Sequence, residues 1–255
     1  MKRSHEEVAD RRKLLISILQ DLEVSNVKTL SRKLNVSEMT VRRDCSVLSE
    51  MGQIRQSFGK IELLPLDDSQ LVASEPIEHI KKCLAKEAAS YVDDRDTVFI
   101  NTSSTAVQAL AYLKDKAISL LTNNTTVIGM EHNPKSAIIL SGGEIRYPKQ
   151  ALSGDIAMES FSAARSDISI IGCSGLALST GISTSVMHEA RINSKIIENS
   201  GKLVVVADYR KIGKSSNFTI GEISDIDTLI TDTFADQACL TAIEKQGVRV
   251  IQVPT

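Results

Sequence analysis

The chain has 255 residues, of which 42% are hydrophobic and 24% charged, and a net charge of −2. That length admits one large domain or a small one joined to a medium one, with enough apolar residues for a sizeable core. The near-neutral balance gives the whole chain no basic signature, and no apolar run approaches the ~20 residues that a membrane span requires.

The charge is uneven. Residues 1–64 hold 12 Lys+Arg against 9 Asp+Glu, a balance of +3, and the remainder is at −5. This mild asymmetry admits a nucleic-acid contact by the N-terminal part. The opening stretch MKRSHEEVADRRK has no apolar core of a secretory leader. Cys45, Cys83, Cys173 and Cys239 stand far apart, with no CxxC and no Cys/His cluster. They read as small buried hydrophobes rather than metal ligands. A cytoplasmic, reduced protein without metal or other cofactor is expected.

In chain order, Leu14, Leu15, Ile18, Leu19 and Leu22 form one stripe and predict a first helix of about 15 residues. Val27, Leu30 and Leu34 mark a second, with Ser25 or Asn26 as its cap. After a tight Asn35-Val36 connection, Ser37 caps a third helix whose inner positions are Val41, Cys45 and Leu48. Gly52 ends it. Ile54, Ile61 and Leu63 then bracket Ser57-Phe58-Gly59-Lys60 as a short hairpin. Three small helices and a hairpin make a winged helix-turn-helix; a generic helical cap is the plainer alternative.

Residues 65–75 (PLDDSQLVASE) are polar and aperiodic, as a linker is. A helix is expected over about 77–92, with Ile80, Leu84, Ala88 and Tyr91 inward. From there short apolar runs alternate with helical segments. The runs are TVFIN (97–101), ISLLT (118–122), AIILS (137–141), ISIIGC (168–173), LVVVA (203–207), TLIT (228–231) and VRVIQV (248–253). The helical segments fall near 104–114, 124–131, 185–199 and 234–246. Several runs lack alternation, as strands buried on both faces do, so the fold expected is a mostly parallel, Rossmann-like α/β sheet. The organisation expected is 1–64 DNA-binding, 65–75 linker, and 76–255 sensing and oligomerisation.

With Val41, Cys45 and Leu48 inward, the third helix presents Met39, Arg42, Arg43 and Ser46 on one outer face, with Thr40 beside them. Adjacent arginines alone are most simply a solvated face. On the second helix of a helix-turn-helix they stand where base edges are read. Arg bonds guanine or phosphate, and Thr and Met meet a thymine methyl. Ser37, Lys28, Arg32, Lys33, Arg55 and Lys60 are candidate backbone contacts. Asp44 is expected to brace an arginine or to point away from DNA.

The segment VSEMTVRRDCSVLSEMGQIRQ resembles the recognition helix and wing of the DeoR family of bacterial transcriptional regulators. Cys45 stands where the family has leucine. The wing carries Ser57-Phe58-Gly59-Lys60 in place of the usual His-Gly-Gly-Ala.

Three loops follow strand ends, where α/β sheets bind ligands. Asn101-Thr102-Ser103-Ser104-Thr105 sets hydroxyls and free backbone N–H groups at a helix start, a phosphate cradle or simply a cap. Gly142 and Gly143 follow AIILS, and Gly172, Ser174 and Gly175 surround Cys173. These glycines permit close backbone approach to a ligand, or merely a tight turn. Lys211, after LVVVA, is a candidate counter-charge for a phosphate.

The pieces FINTSSTA, LLTNNT, LSGGEIR, ALSGDIAMESF, IIGCSGL, GISTSVMHEA, VVVADYRKIGK and ISDIDTLITD resemble the effector domain of the same family. That domain is similar in fold to ribose-5-phosphate isomerases. The resemblance implies a repressor of a carbohydrate-utilisation operon, controlled by a phosphorylated sugar or related metabolite, and not an enzyme. Three departures accompany it: Asn101 for the usual Asp, Ser103 for Gly, and Asn193 for Lys. The partners expected are an operator DNA duplex, a small phosphorylated effector and further copies of the chain, with no membrane. A sugar-phosphate isomerase with an appended helical domain is the alternative. Glu144, Asp155, Glu189 and Asp208 are its candidate carboxylates, none singled out. A metabolite-binding module whose helices contact proteins is a third reading.

Overall fold

The computed structural model describes residues 11–12, 14–19, 24–50, 54–57, 60–63, 75–147 and 151–254. Leu22, Gly52, Phe58, Gly59 and linker positions 65–74 lie outside the described residues, as do the side chains of Arg55, Ser57 and Leu63. The chain forms two compact units, Met1–Val72 and Ala73–Thr255.

In the first unit, residues 14–19 are helical (α1) and are followed by β1 (Val24–Ser25), α2 (Val27–Leu34), α3 (Glu38–Glu50), β2 (Ile54–Ser57) and β3 (Lys60–Leu63). Of the two cap candidates, Asn26 caps α2, its carboxamide accepting the Thr29 N–H at 2.9 Å. Asn35 ends it in the left-handed conformation, φ 51°. Asn tolerates that region better than most side chains, so the chain turns at once into α3. Leu15, Ile16, Leu19, Leu30, Leu34, Val41, Cys45, Leu48, Ile54 and Ile61 form one core. The face of α1 is rotated from the expected stripe: Leu14 is exposed and Ile16 is buried instead. Three consecutive apolar residues, Leu14, Leu15 and Ile16, leave the phase of so short a helix to packing. The hairpin pairs Ser57 with Lys60. β1 adds a third strand to it, pairing Ser25 with Ile61; two residues are too few to show a period in sequence.

The second unit opens with α4 (Glu75–Ala89) and then builds a seven-stranded, wholly parallel sheet. Its strands are β4 (Thr97–Ile100), β5 (Ser119–Thr122), β6 (Ala137–Leu140), β9 (Ile168–Gly172), β12 (Leu203–Val206), β14 (Thr228–Asp232) and β15 (Arg249–Val253). Their order is β15-β14-β12-β9-β4-β5-β6. All seven apolar runs of the sequence are its strands.

Alternation sends Val98 and Ile100 into one core, with Ile80, Leu84 and Leu110, and sends Phe99 into another, with Ile171, Val205 and Leu229. The inner strands are therefore apolar on both faces, which is why their runs do not alternate. Phe99 meets Phe161 edge to face at 5.3 Å between ring centroids.

Two of the expected helices, Ala106–Tyr112 and Thr125–Gly129, are 3-10 helices. α6 (Met187–Glu198) and α7 (Gln237–Glu244) are α-helical. A further helix, α5 (Asp155–Ser162), and the short antiparallel pieces β7 (Glu144–Arg146), β8 (Ala151–Ser153), β10 (Gly175–Ala177), β11 (Gly181–Thr184) and β13 (Phe218–Gly221) were not anticipated.

Chain progress explains where a site forms. From β4 the chain builds outward through β5 and β6, then returns to the other side of β4 to lay down β9 and its successors. The order reverses between β4 and β9, and the crevice beyond their carboxyl ends is the switch point of the sheet.

Candidate functional site

The α3 helix divides cleanly. Val41, Asp44, Cys45 and Leu48 are buried, and Met39, Arg42, Arg43 and Ser46 are exposed. Ser37 caps the helix, its hydroxyl accepting the Thr40 N–H at 3.2 Å and lying 2.9 Å from the Thr40 hydroxyl. The Ser37 and Thr40 hydroxyls thus steady the first turn. Arg42 lies 3.8 Å from Glu38 with both side chains exposed. Such a pair contributes at most a few tenths of a kcal/mol and does not restrain the guanidinium. Lys28, Arg32 and Lys33 are exposed on α2, and Lys60 on the hairpin.

Asp44 does brace arginines, but not its neighbours. It is 2% exposed, and it accepts from Arg11 at 2.7 and 3.2 Å and from Arg12 at 3.0 Å. The acidic residue inside the basic motif therefore anchors α3 to the helical residues Arg11 and Arg12. Next to it, burial and then the Asp44 charge push the Cys45 thiol up to about 11. At neutral pH it stays protonated and inert. Iodoacetamide followed by mass spectrometry is expected to leave Cys45 unmodified in the folded chain and to label it fully in urea. The other cysteines are mixed: Cys173 is buried, whereas Cys83 and Cys239 are half-buried, not fully inside as expected.

At the switch point, Asn101 follows β4 and is 2% exposed. Its amide donates to the Gly172 carbonyl at 2.9 Å and to Asn193 Oδ1 at 3.2 Å. Its own Oδ1 accepts from Gly172 N at 3.1 Å and from Ser103 N at 3.2 Å. One carboxamide ties β4 to β9 and to α6. Two of the three departures named above, Asn101 and Asn193, are thus in contact as a neutral amide pair.

The third departure is equally local. Ser103 Oγ accepts the N–H groups of Thr105 and Ala106, each at 3.2 Å. The N–H groups expected to be free for a phosphate are accordingly occupied from within the loop. Thr102 and Thr105 are buried, and Ser104 accepts at its carbonyl from Gln108 at 3.0 Å. Gln108 also lies 3.4 Å from Glu78 on α4, which pairs with the buried Lys81 at 3.0 Å. Lys81 escaped the sequence reading because it sits beside Ile77, Ile80 and Leu84 on what looks like an apolar stripe.

Lys211 reaches the same crevice, donating to the Cys173 carbonyl at 2.9 Å past the end of β9. Beside it, burial pushes the Asp208 carboxyl up, but two hydrogen bonds from Arg210 and the charge of Lys211 outweigh this and hold it below the ordinary carboxylate range. Ser174 accepts from Ser185 N at 3.2 Å. Gly175 packs on Lys214, whose carbonyl a Cβ would approach to 2.6 Å.

Gly142 and Gly143 follow β6, two strands along from β4 in the sheet. Both have positive φ, and their near neighbours are Ile156, Ser153 and Ala157, so they turn the chain from β6 into β7 against the start of α5. Asn123 was missed. It follows β5, is 1% exposed, donates to the Leu152 carbonyl at 3.1 Å, and leaves its Oδ1 with no partner among the described residues. Its signal was its place: the residue after a strand next to the switch point. Of the carboxylates, Glu144 is exposed and pairs with Arg146, Asp155 is exposed, and Glu189 and Asp208 are buried.

Two family models match the chain: a DeoR-like helix-turn-helix domain over residues 11–64, and the DeoR C terminal sensor domain over residues 78–233. The chain belongs to the DeoR family. It is a DNA-binding transcriptional regulator with a sensor domain, and its family is one of DNA-binding proteins rather than catalysts, which removes the isomerase alternative.

Among curated relatives, this DeoR-family chain is 28% identical to the uncharacterized HTH-type transcriptional regulator YulB of Bacillus subtilis, covering 97% of each. It is also 28% identical to the glycerol-3-phosphate regulon repressor of Escherichia coli, covering 86% of this chain and 88% of that one. A ribose 5-phosphate isomerase from Methanocaldococcus jannaschii matches at 15% identity and a TM-score of 0.38, covering 52% of this chain and 54% of that chain. Among the described residues, no helix is long and apolar enough to cross a membrane.

Proposed function

We propose that this DeoR-family regulator is a cytoplasmic repressor of a carbohydrate-utilisation operon, released from or retuned on its operator by a phosphorylated sugar or related metabolite, and that it acts as a homo-oligomer. One observation carries the DNA part: the exposed face Met39, Arg42, Arg43 and Ser46 on a helix capped by Ser37 and anchored through Asp44. Arg42 and Arg43 read base edges or phosphates, with Thr40 and Met39 beside them. Lys28, Arg32 and Lys60 hold the backbone.

The effector part is supported by the crevice between β4 and β9, where Thr102, Ser104 and Thr105 of the first loop, the backbone at Gly172, Ser174 and Lys211 converge. The buried Asn123 oxygen supports it too, since an acceptor without a donor costs about 1–3 kcal/mol and a ligand hydroxyl would satisfy it. Because Ser103 caps its own loop and Asn101 pairs with Asn193, the effector differs in charge or size from one that suits an open cradle. The sensing domain takes in residues 76–255 and the DNA-binding domain residues 1–64. The E. coli relative, whose name places it on a glycerol-3-phosphate regulon, is consistent with a small phosphorylated effector.

The experiment is a fluorescence-anisotropy titration with duplex DNA from upstream of the gene, repeated over a range of salt. Binding should weaken steeply with salt. Arg42→Ala and Arg43→Ala should each weaken specific binding by about 1–3 kcal/mol if the arginine reads a base. An affinity indifferent to salt and to both substitutions would refute the assignment. For the effector, a thermal-shift screen with glycerol 3-phosphate and hexose phosphates should return a hit, since a ligand at about 100 times its Kd adds roughly 2.7 kcal/mol.

A further inference from the structure

The two edges of the parallel sheet differ. At one, β15 carries Arg249, whose guanidinium lies over the Tyr91 ring at 5.8 Å, and the strand is followed by Pro254. Charge and proline are the usual means by which an edge is kept from pairing. At the other, β6 has neither: from Ser136 to Gly143 there is no charged residue and no proline. Among the described residues, no strand pairs with its outer side.

Its surroundings are apolar and open. Ile139 is 50% exposed on the strand itself. Ile156 is 64% exposed on α5, and its Cγ2 lies 3.2 Å from where a Cβ would stand on Gly142, at the end of β6. Ile128, after β5, is 74% exposed. A parallel sheet ordinarily has both faces covered, and an open uncharged edge of this kind invites pairing.

The main chain fixes how a partner could dock. Ala137 N donates to Ile118 O and Ser141 N to Thr122 O, both at 2.9 Å. The odd-numbered residues therefore turn their polar groups toward β5. By alternation, Ile138 and Leu140 turn theirs outward. We propose that this edge is the interface with a second copy of the chain, β6 pairing antiparallel with β6 of the partner about a two-fold axis through Ile139.

In that register Ile138 of each copy exchanges main-chain hydrogen bonds with Leu140 of the other. The two Ile139 residues face each other as a non-hydrogen-bonded pair, with Cα atoms about 4.5 Å apart. Gly142 and Gly143 turn the chain just past the paired stretch, and antiparallel pairing sets the end that Lys135 precedes beside the end that Glu144 follows, so opposite charges lie near both ends. The two-fold uses each edge once and closes, so the pairing stops at two copies instead of growing a fibre. A second copy is also what one helix-turn-helix per chain needs to read paired half-sites. The inference rests on the homo-oligomer reading above and supplies its location.

Substituting Ile139→Cys tests it. A Cα separation of about 4.5 Å lies within the range of a disulfide. The full-length variant, mildly oxidised at micromolar concentration, should run mainly as a covalent dimer on a non-reducing gel, beyond the wild-type background from the native cysteines. Leu178→Cys, at a position equally exposed but remote in the fold from β6, should stay at background. Sedimentation of Ile139→Lys should give a lower mass than the wild type while its circular dichroism stays that of the folded chain. An oligomeric wild type whose mass survives Ile139→Lys overturns the interface and leaves the homo-oligomer reading standing. A monomeric wild type overturns both. Absent or equal cross-linking in the two cysteine variants overturns the pairing about Ile139.

Discussion

Asp44→Ala should lower the stability of the N-terminal unit by about 3 kcal/mol, at the lower end of the 3–5 kcal/mol typical for breaking a buried ion pair. The lower end applies because Arg11 and Arg12, at 13% and 28% exposure, can turn partly to water once the carboxylate is gone. For comparison, losing the Ser37 cap costs about 1 kcal/mol, and a surface pair such as Arg42–Glu38 far less. Urea unfolding of the full chain, followed by helical circular dichroism, reads the loss. Operator affinity should fall with it, although Asp44 is buried. Arg11→Ala in the Asp44→Ala background should cost little more, because the two act through one contact. A wild-type unfolding midpoint for Asp44→Ala would show that the carboxylate anchors nothing.

Gly172→Ala should destabilise the second unit by about 1–3 kcal/mol or more, the range for forcing atoms into a packed interior. The added methyl would stand 2.0 Å from Ser103 Oγ and 2.6 Å from Ser103 Cβ, where real contacts do not fall below 3.0 Å. Rotating the hydroxyl away relieves only the first of these. The Cβ is fixed by a backbone that Asn101 locks to Gly172 through two hydrogen bonds. Ser103→Gly removes both obstructing atoms at the expense of the cap on Thr105 and Ala106, about 1 kcal/mol. The double variant Ser103→Gly/Gly172→Ala should therefore be more stable than Gly172→Ala alone, a sign reversal that thermal melting detects. If Ser103→Gly instead deepened the defect, the two residues would not be the source of the strain. The same pair of variants should alter which phosphorylated compounds shift the melting temperature, since Ser103→Gly frees two loop N–H groups.

The elements of this protein follow from short-range rules. The α3 faces were legible because Val41, Cys45 and Leu48 recur at helical spacing and leave Met39, Arg42, Arg43 and Ser46 on the opposite side. The inner sheet strands were legible because burial on both faces selects unbroken apolar runs, and the part-exposed edge strands β6 and β15 because they too are mostly apolar. The three-residue strands β7, β8 and β10 were not, since three residues are too few to show a period. The phase of α1 was misjudged because adjacent apolar residues let packing choose which of them turns in.

The site is a different matter, because its contacts join residues that no local pattern connects. Asp44 finds its arginines 32 and 33 positions earlier. Asn101 meets Gly172 across 71 positions and Asn193 across 92. By itself the sequence determined a DNA-reading helix, a parallel sheet and the loops at its strand ends. Only the tertiary structure decided that Asp44 braces Arg11 and Arg12 and not its neighbours, and that Ser103 closes the cradle against Gly172. It also decided that Gly142 and Gly143 turn the chain from β6 into β7 against α5. The physical reason is that periodicity and capping act over one or two turns of chain, whereas the strand order sets which carboxyl ends become neighbours.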